Sequence, residues 1–246
     1  MSRNFGLVDY KVQEAEFFLL EMRRVGKKLN FDAVQFHASA FVSAARSITF
    51  AMQASIRELP GFKEWYSERQ ALLRADPLCK FFHDFRTVTQ HIGENVVSGG
   101  RHDGSGTHYY FVPCPDLPSV PQKDVITACE EYFRTILVLV YDCYIAFGPA
   151  IDGLQRYTEE YFASKCLGIE DAEEELGYPR GWTDIGDPAS TPWRWEFLRR
   201  QVDGCLVEGQ FDEWLDRKLP RPDALPPYQP GRRTDGCRKA EEDQDG

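Results

Sequence analysis

The sequence predicts a mostly α protein: an up-and-down helical bundle of about five helices with a short hairpin excursion and a C-terminal helical extension. Three observations lead there. Apolar residues recur at helical spacing over long windows, good helix formers fill those windows, and Pro or Gly punctuates their ends at Pro60-Gly61, Asp76-Pro77, Gly93 and Gly148-Pro149. A chain of 246 residues is also long enough to bury a sizeable core without covalent staples.

Taken in order, residues 9–27 form a first helix. Asn30 caps a second, longer one through "FDAVQFHASAFVSAARSITFAMQASIREL", which Pro60-Gly61 stops. Phe41, Ala44, Ala45, Ile48 and Met52 follow helical spacing there, and the many Ala and Ser residues let a neighbour approach closely, so this helix belongs at the bundle centre. "FKEWYSERQALL" makes a shorter third helix. Asp76-Pro77, an Asp cap with Pro at the first helical position, opens a fourth, which Gly93 closes. Between 93 and 121 the chemistry changes: "GGRHDGSG" reads as a mobile hairpin tip and "THYYFVP" as a short strand. A fifth helix runs from about 123 to 147, and a further one from about 151 to 166.

Residues 1–166 are thus expected to form the bundle, with 93–121 as a loop or hairpin insertion. Residues 167–220 should form a helical extension packed on it, burying Trp182, Trp193, Trp195 and Trp214. "EDAEEEL" within it reads as a solvated helix face, and residues 221–246, Pro-rich and then charged, read as a disordered tail.

Composition narrows the function classes. The net charge of −10 is uneven: residues 1–100 carry 13 basic and 11 acidic side chains, the remainder 16 and 28. Non-specific nucleic-acid affinity comes from counterion release by clustered Lys and Arg, so any RNA contact must be local and in the first part. The start lacks a basic n-region with an apolar stretch and cleavage site, which predicts a cytoplasmic protein. "FRTILVLVYDCYIAFG" is interrupted by Arg134 and Asp142 and falls short of a bilayer span, so it reads as a core helix and no membrane association is expected. Seven cysteines lack CxxC spacing, which argues for reduced, buried thiols. His102, Asp103 and His108 have permissive spacing for a metal but no fourth partner, and neither metal nor cofactor is expected.

The stretch "FFHDFRTVTQHIG", residues 81–93, has two faces. On an ideal helix Leu78, Phe81, Phe82, Phe85, Thr89 and Ile92 fall on the arc a bundle buries. Thr87 and His91, four apart, stack on the other side, and Arg86 is displaced by roughly 140° from His91, reaching round from the flank. Read by spacing alone, an Arg and a His five positions apart are the solvated side of a packed helix.

The helix opened by Asp76-Pro77, its aromatic core positions leading into "DFRTVTQH", and the all-helical frame resemble the HEPN superfamily, helical-bundle proteins of which many are RNases. The resemblance covers about residues 9–165. Its signature is an arginine, four to six residues, then a histidine. Arg86 and His91 stand at those positions, while Thr87 stands where Asn, Asp or His is common and Gly93 where some members carry a modified Tyr. The resemblance implies metal-independent endoribonuclease activity on an RNA substrate, with His91 as general acid or base, Arg86 holding the phosphate and Thr87 assisting. It implies a homodimer that brings two motif helices to one cleft, and a protein partner of the antitoxin kind. A different class stays open: a non-catalytic bundle that binds a protein partner or small ligand through the Trp-rich "TPWRWEF" segment.

Overall fold

In a computed structural model the described residues are 4–104, 106–223, 225 and 226, and they are mostly α-helical. They fall into two compact units. One comprises the residues up to Asp152 together with Gly204–Pro220, and the other contains Gly153–Asp203. The division thus comes at Asp152 instead of residue 166, and residues 204–220 belong with the bundle. Most of the tail expected to be disordered, from 227 on, lies outside the described residues, as does Cys237.

The first unit is a helical bundle. Helices α1 (Gly6–Gly26) and α2 (Phe31–Ile56) pair along their lengths, and α3 (Phe62–Ala75), α4 (Pro77–Thr87) and α5 (Val125–Ile151) complete the frame. Each start has a local chemical cause. The Asn30 side chain accepts from Ala33 N–H at 3.1 Å, Asp76 from Cys79 N–H at 2.9 Å, and Asp124 from the N–H groups of Ile126 and Thr127. Phe41, Ile48 and Met52 of α2 are fully buried at the centre, as the spacing of that helix predicts.

Helix α5 is long and apolar enough, by length and composition, to cross a bilayer. Its Cys129, Phe133, Leu137, Val140 and Cys143 are buried in the core of the unit. It runs past the break expected at Gly148-Pro149, because a proline in the last turn costs only one backbone bond: Asp152 N–H still donates to Gly148 O at 2.8 Å. The helix expected over 151–166 is two short ones instead, α6 (Gly153–Arg156) and α7 (Glu159–Ala163), where a Thr158 cap restarts the chain.

Helix α10 (Glu208–Leu215) returns to this unit. Trp214 packs edge-on against Phe133 at 5.0 Å and donates its indole N–H to Glu16 at 2.7 Å, while Arg23 lies over its ring. Nearby, Asp9 is buried, accepting from the Tyr144 hydroxyl at 2.7 Å and from Leu206 N–H at 2.9 Å; burial holds its carboxyl above the ordinary value.

The glycine-rich excursion is a hairpin of β1 (Val97–Asp103) and β2 (Gly106–Phe111), antiparallel, with Arg101 opposite His108. Gly99–Asp103, expected at a mobile tip, is strand. The reason lies in packing: a Cβ at Gly100 would sit 2.2 Å from a ring carbon of Phe31, so only glycine lets the hairpin close onto α2. Tyr109 anchors it further, its hydroxyl donating to Gly26 O at 2.7 Å and its N–H to Asp124 at 2.8 Å. Gly100→Ala is therefore expected to lower stability by about 1–3 kcal/mol in urea unfolding. Added to Phe31→Ala it should cost much less, because the clash is gone.

The second unit holds α6, α7, α8 (Ile169–Glu175) and α9 (Thr191–Arg199) around Phe162, Trp195 and Leu198. The acidic helix α8 departs from the solvated face expected of it. Glu173 is fully buried, accepting from Thr183 N–H at 2.9 Å, Gly181 N–H at 2.6 Å, the Thr183 hydroxyl at 2.5 Å and Arg194 at 3.1 Å. Asp171 and Glu174 pair with Arg180, and Glu175 with Arg156. Trp195 and Trp214 are buried as expected, but Trp182 is 60% exposed, stacked on Tyr178, and Trp193 is only partly covered.

Candidate functional site at the end of helix α4

Helix α4 carries the site because its other face is fixed. Phe81, Phe82 and Phe85 are buried, and all three meet Phe111 of β2, with ring centroids 4.7, 6.2 and 6.0 Å away. Phe82 also stacks on Tyr132 of α5 at 4.5 Å. The hairpin is thus part of the wall behind the motif helix, holding it in rotation as well as in position.

After Thr87 the helix widens. Val88–Ile92 is a single π turn, closed by Gly93 N–H donating to Val88 O at 3.0 Å, with Gly93 at φ 81° ending it in a conformation that favours glycine. This revises the geometry read from an ideal α-helix. In a π turn the hydrogen bonds join residues five apart, so the turn holds more residues and each rotates less about the axis. Residues five apart therefore come closer to one side, which narrows the roughly 140° between Arg86 and His91 that α geometry gives. The same widening corrects the expected core face. Val88 is buried, whereas Ile92, placed inside by α spacing, is 50% exposed.

The individual side chains are placed as follows. His91 is exposed and, among the described residues, makes no side-chain hydrogen bond. Arg86 is half-buried; among the described residues its Nε is buried with no hydrogen-bond partner, and it belongs to no ion pair. Thr87 is exposed and donates its hydroxyl to His83 O at 3.2 Å, so its proton is engaged on the backbone and its lone pairs face outward. Thr89 back-bonds to Phe85 O at 2.9 Å and to Arg86 O at 3.3 Å, bridging the α and π segments. Arg86, Thr87 and His91 share one segment of helix, yet no hydrogen bond joins any two of them.

Helix α2 runs alongside. Gln90 donates to the Ser39 hydroxyl at 3.4 Å, and Arg46 lines a cavity with Lys80 and His83, so α2 and α4 are antiparallel. That register puts Ser43 at the level of Arg86, and Ser43 Oγ is likewise buried without a partner. Glu94, just past the π turn, has one buried carboxylate oxygen in the same state and lines a cavity of about 110 Å³ with Gln35, Ser39, Phe85 and Thr89. Polar groups without partners, rare in folded interiors, thus collect around the motif. Phe36 is 67% exposed on the same rim as this cavity.

Thiol chemistry is not what this region offers. Burial pushes the Cys79 thiol up to about 12, and hydrogen bonding to Glu94 with burial raises that of Cys114. Nor do the described residues contain a group of three or more His, Cys, Asp or Glu able to hold a metal ion. In the hairpin His102 Nδ1 meets the Thr107 hydroxyl at 2.9 Å and Asp103 pairs with Arg101.

A family model described as Bacteriophage lambda protein ea47 matches residues 26–95, less than half of the chain. The matched segment runs through α2, α3, α4 and the π turn, and so takes in Arg86, Thr87 and His91. No curated protein and no solved structure matches the chain.

Proposed function

We propose that the protein is a HEPN-like, metal-independent endoribonuclease that works as a homodimer. The observation that supports this reading is the π turn together with the unpartnered Arg86 Nε: a π turn narrows the angle that α spacing puts between Arg86 and His91, and Arg86 Nε is a buried donor in need of an acceptor. Leaving such a donor unpaired costs about 1–3 kcal/mol, and a phosphate oxygen meets the need with charge assistance.

The chemistry follows from the residue types. One His91 takes the proton of a ribose 2′-hydroxyl as its oxygen attacks phosphorus, and the bond from phosphorus to the 5′-oxygen breaks as that oxygen receives a proton. One imidazole serves both ends of this step poorly. A homodimer supplies the second His91, and the exposed Ile92 and Phe36 beside the motif are apolar surface that a second copy would cover. Arg86 holds the phosphate and stabilises its developing charge, a task suited to a planar guanidinium. Thr87, with its proton engaged on His83 O, acts only as an acceptor.

The test is cleavage of single-stranded RNA in EDTA by the wild type, Arg86→Ala and Arg86→Lys. Arg86→Ala should lose about 10²-fold or more in rate, with Arg86→Lys recovering part of it. Equal rates for all three overturn the reading, as does activity that disappears with EDTA. A cytoplasmic location without membrane association and an antitoxin-like protein partner belong to this same reading.

A second reading has its own observation. In the unit containing Gly153–Asp203, Trp182, Ile185 and Phe197 are exposed around a cavity of about 280 Å³ that Trp193 also lines. An exposed aromatic groove of this kind suits a binding module for a protein segment. Under this reading Trp182→Ala abolishes partner capture while RNA is never cleaved.

A further inference from the structure

A larger cavity, about 430 Å³, opens elsewhere on the bundle where α2, α3, α4 and α5 converge. Its basic side chains come from three separate helices: Arg46 from α2, Arg74 from α3, and Lys80 and His83 from α4. Asp84 is the one acidic residue lining it. No ion pair among the described residues involves Arg46, Arg74 or Lys80, although this chain has ten more acidic than basic side chains and most of the described arginines are paired. Convergence of like charges without counterions is unfavourable, and is the usual arrangement where the counterion is a ligand.

The interior is built for orientation. Arg46 is fixed on both sides, donating to the Thr49 hydroxyl at 3.0 Å and lying over the Phe50 ring at 4.7 Å, which leaves its remaining N–H groups for a ligand. The buried Tyr66 hydroxyl accepts from Gln53 at 3.1 Å and lines the same space. Burial raises its pKa, and hydrogen bonding with Thr49 and the charges of Arg46 and Arg74 act against that rise. Tyr132 forms an aromatic wall. The volume is that of a small-molecule site. Three cations, a histidine and the Tyr66 hydroxyl beside an aromatic wall match a phosphorylated small molecule better than a carboxylate, because a phosphate presents oxygens in several directions at once.

We infer that this cavity binds the phosphate group of a small phosphorylated ligand through Arg46, Arg74, Lys80 and His83. The site shares no residue with the Arg86 and His91 pair and does not depend on the nuclease reading.

The experiment is calorimetric titration of the full chain with inorganic pyrophosphate, with AMP, and with a short single-stranded oligoribonucleotide lacking terminal phosphates. Wild-type protein is compared with Arg74→Gln/Lys80→Gln, His83→Gln and His91→Ala. Arg74 and Lys80 are exposed and unpaired, so the double variant should melt with the wild type. The expected result is saturable one-to-one binding of pyrophosphate or AMP, weakened about 100-fold in the double variant and about tenfold in His83→Gln, and unchanged in His91→Ala. Absence of saturable binding of either phosphate compound overturns the inference. So does equal affinity in the wild type and the double variant. Binding of the oligoribonucleotide alone also overturns it, since the cations would then track an RNA backbone.

Discussion

Alanine at His91 is expected to lower RNA cleavage about 10²- to 10⁴-fold, the range that a positioned general acid or base contributes. The side chain is exposed and makes no hydrogen bond among the described residues, so its removal should leave the melting temperature unchanged. That separates loss of chemistry from loss of fold. If two copies supply acid and base to one cleft, wild-type activity should fall on mixing with excess His91→Ala protein, as mixed dimers form with one imidazole each. The measurement is single-turnover cleavage of single-stranded RNA in EDTA, with subunit exchange allowed. Residual cleavage equal to the wild type refutes a catalytic His91, and activity that mixing does not alter refutes the shared cleft.

The second large effect concerns stability. Glu173→Ala should destabilise the unit containing Gly153–Asp203 by about 2–4 kcal/mol, because it takes from Arg194 the buried one of its two carboxylate partners and leaves only Glu170, at 3.3 Å. Thr183 and Gly181 lose an acceptor at the same time. Thermal unfolding followed at the tryptophans of this unit reads it, and Arg194→Met/Glu173→Leu should lose much less than Glu173→Ala. The pH dependence has a definite sign. Burial alone would raise the Glu173 carboxyl, but the hydrogen bonds of Thr183, Arg194 and Gly181 outweigh it and hold the group below its ordinary value. An acid with a depressed folded pKa contributes stability that is present above its unfolded pKa, about 4.3, and is lost as pH falls through the folded value. The melting temperature of the wild type should therefore decline below about pH 4, and that of the doubly apolar variant should decline less.

Several elements were legible in the chain itself because their causes are local. Asn30, Asp76-Pro77 and Gly93 sit where caps and stops must sit, and the structure begins or ends elements there. The buried face of α4 through Phe85 follows from spacing alone. Legibility stopped at Thr87. A π turn has no compositional signature in "VTQHI", and only there does Ile92 leave the core and the chain between Arg86 and His91 depart from α spacing. Gly100 likewise reads as a turn glycine until Phe31, far away in sequence, is seen to occupy the space of a Cβ. The acidic run "EDAEEEL" looks solvated because its partners, Arg180, Thr183 and Arg194, lie on later segments. The cavity cations were invisible for the same reason. Arg46, Arg74, Lys80 and His83 lie on three helices, and the only trace in the sequence is the slightly basic first hundred residues of an acidic chain.

The sequence by itself determined the helical class, the helix starts, and the spacing of an arginine and a histidine near the end of the fourth helix. Those depend on period, caps and residue chemistry within a few positions. Tertiary structure alone decided that the hairpin walls the motif helix, that the turn between Arg86 and His91 is widened, and that four basic residues face one cavity. The wall and the cavity are set by groups distant in the chain meeting in one space, and no local pattern records that meeting.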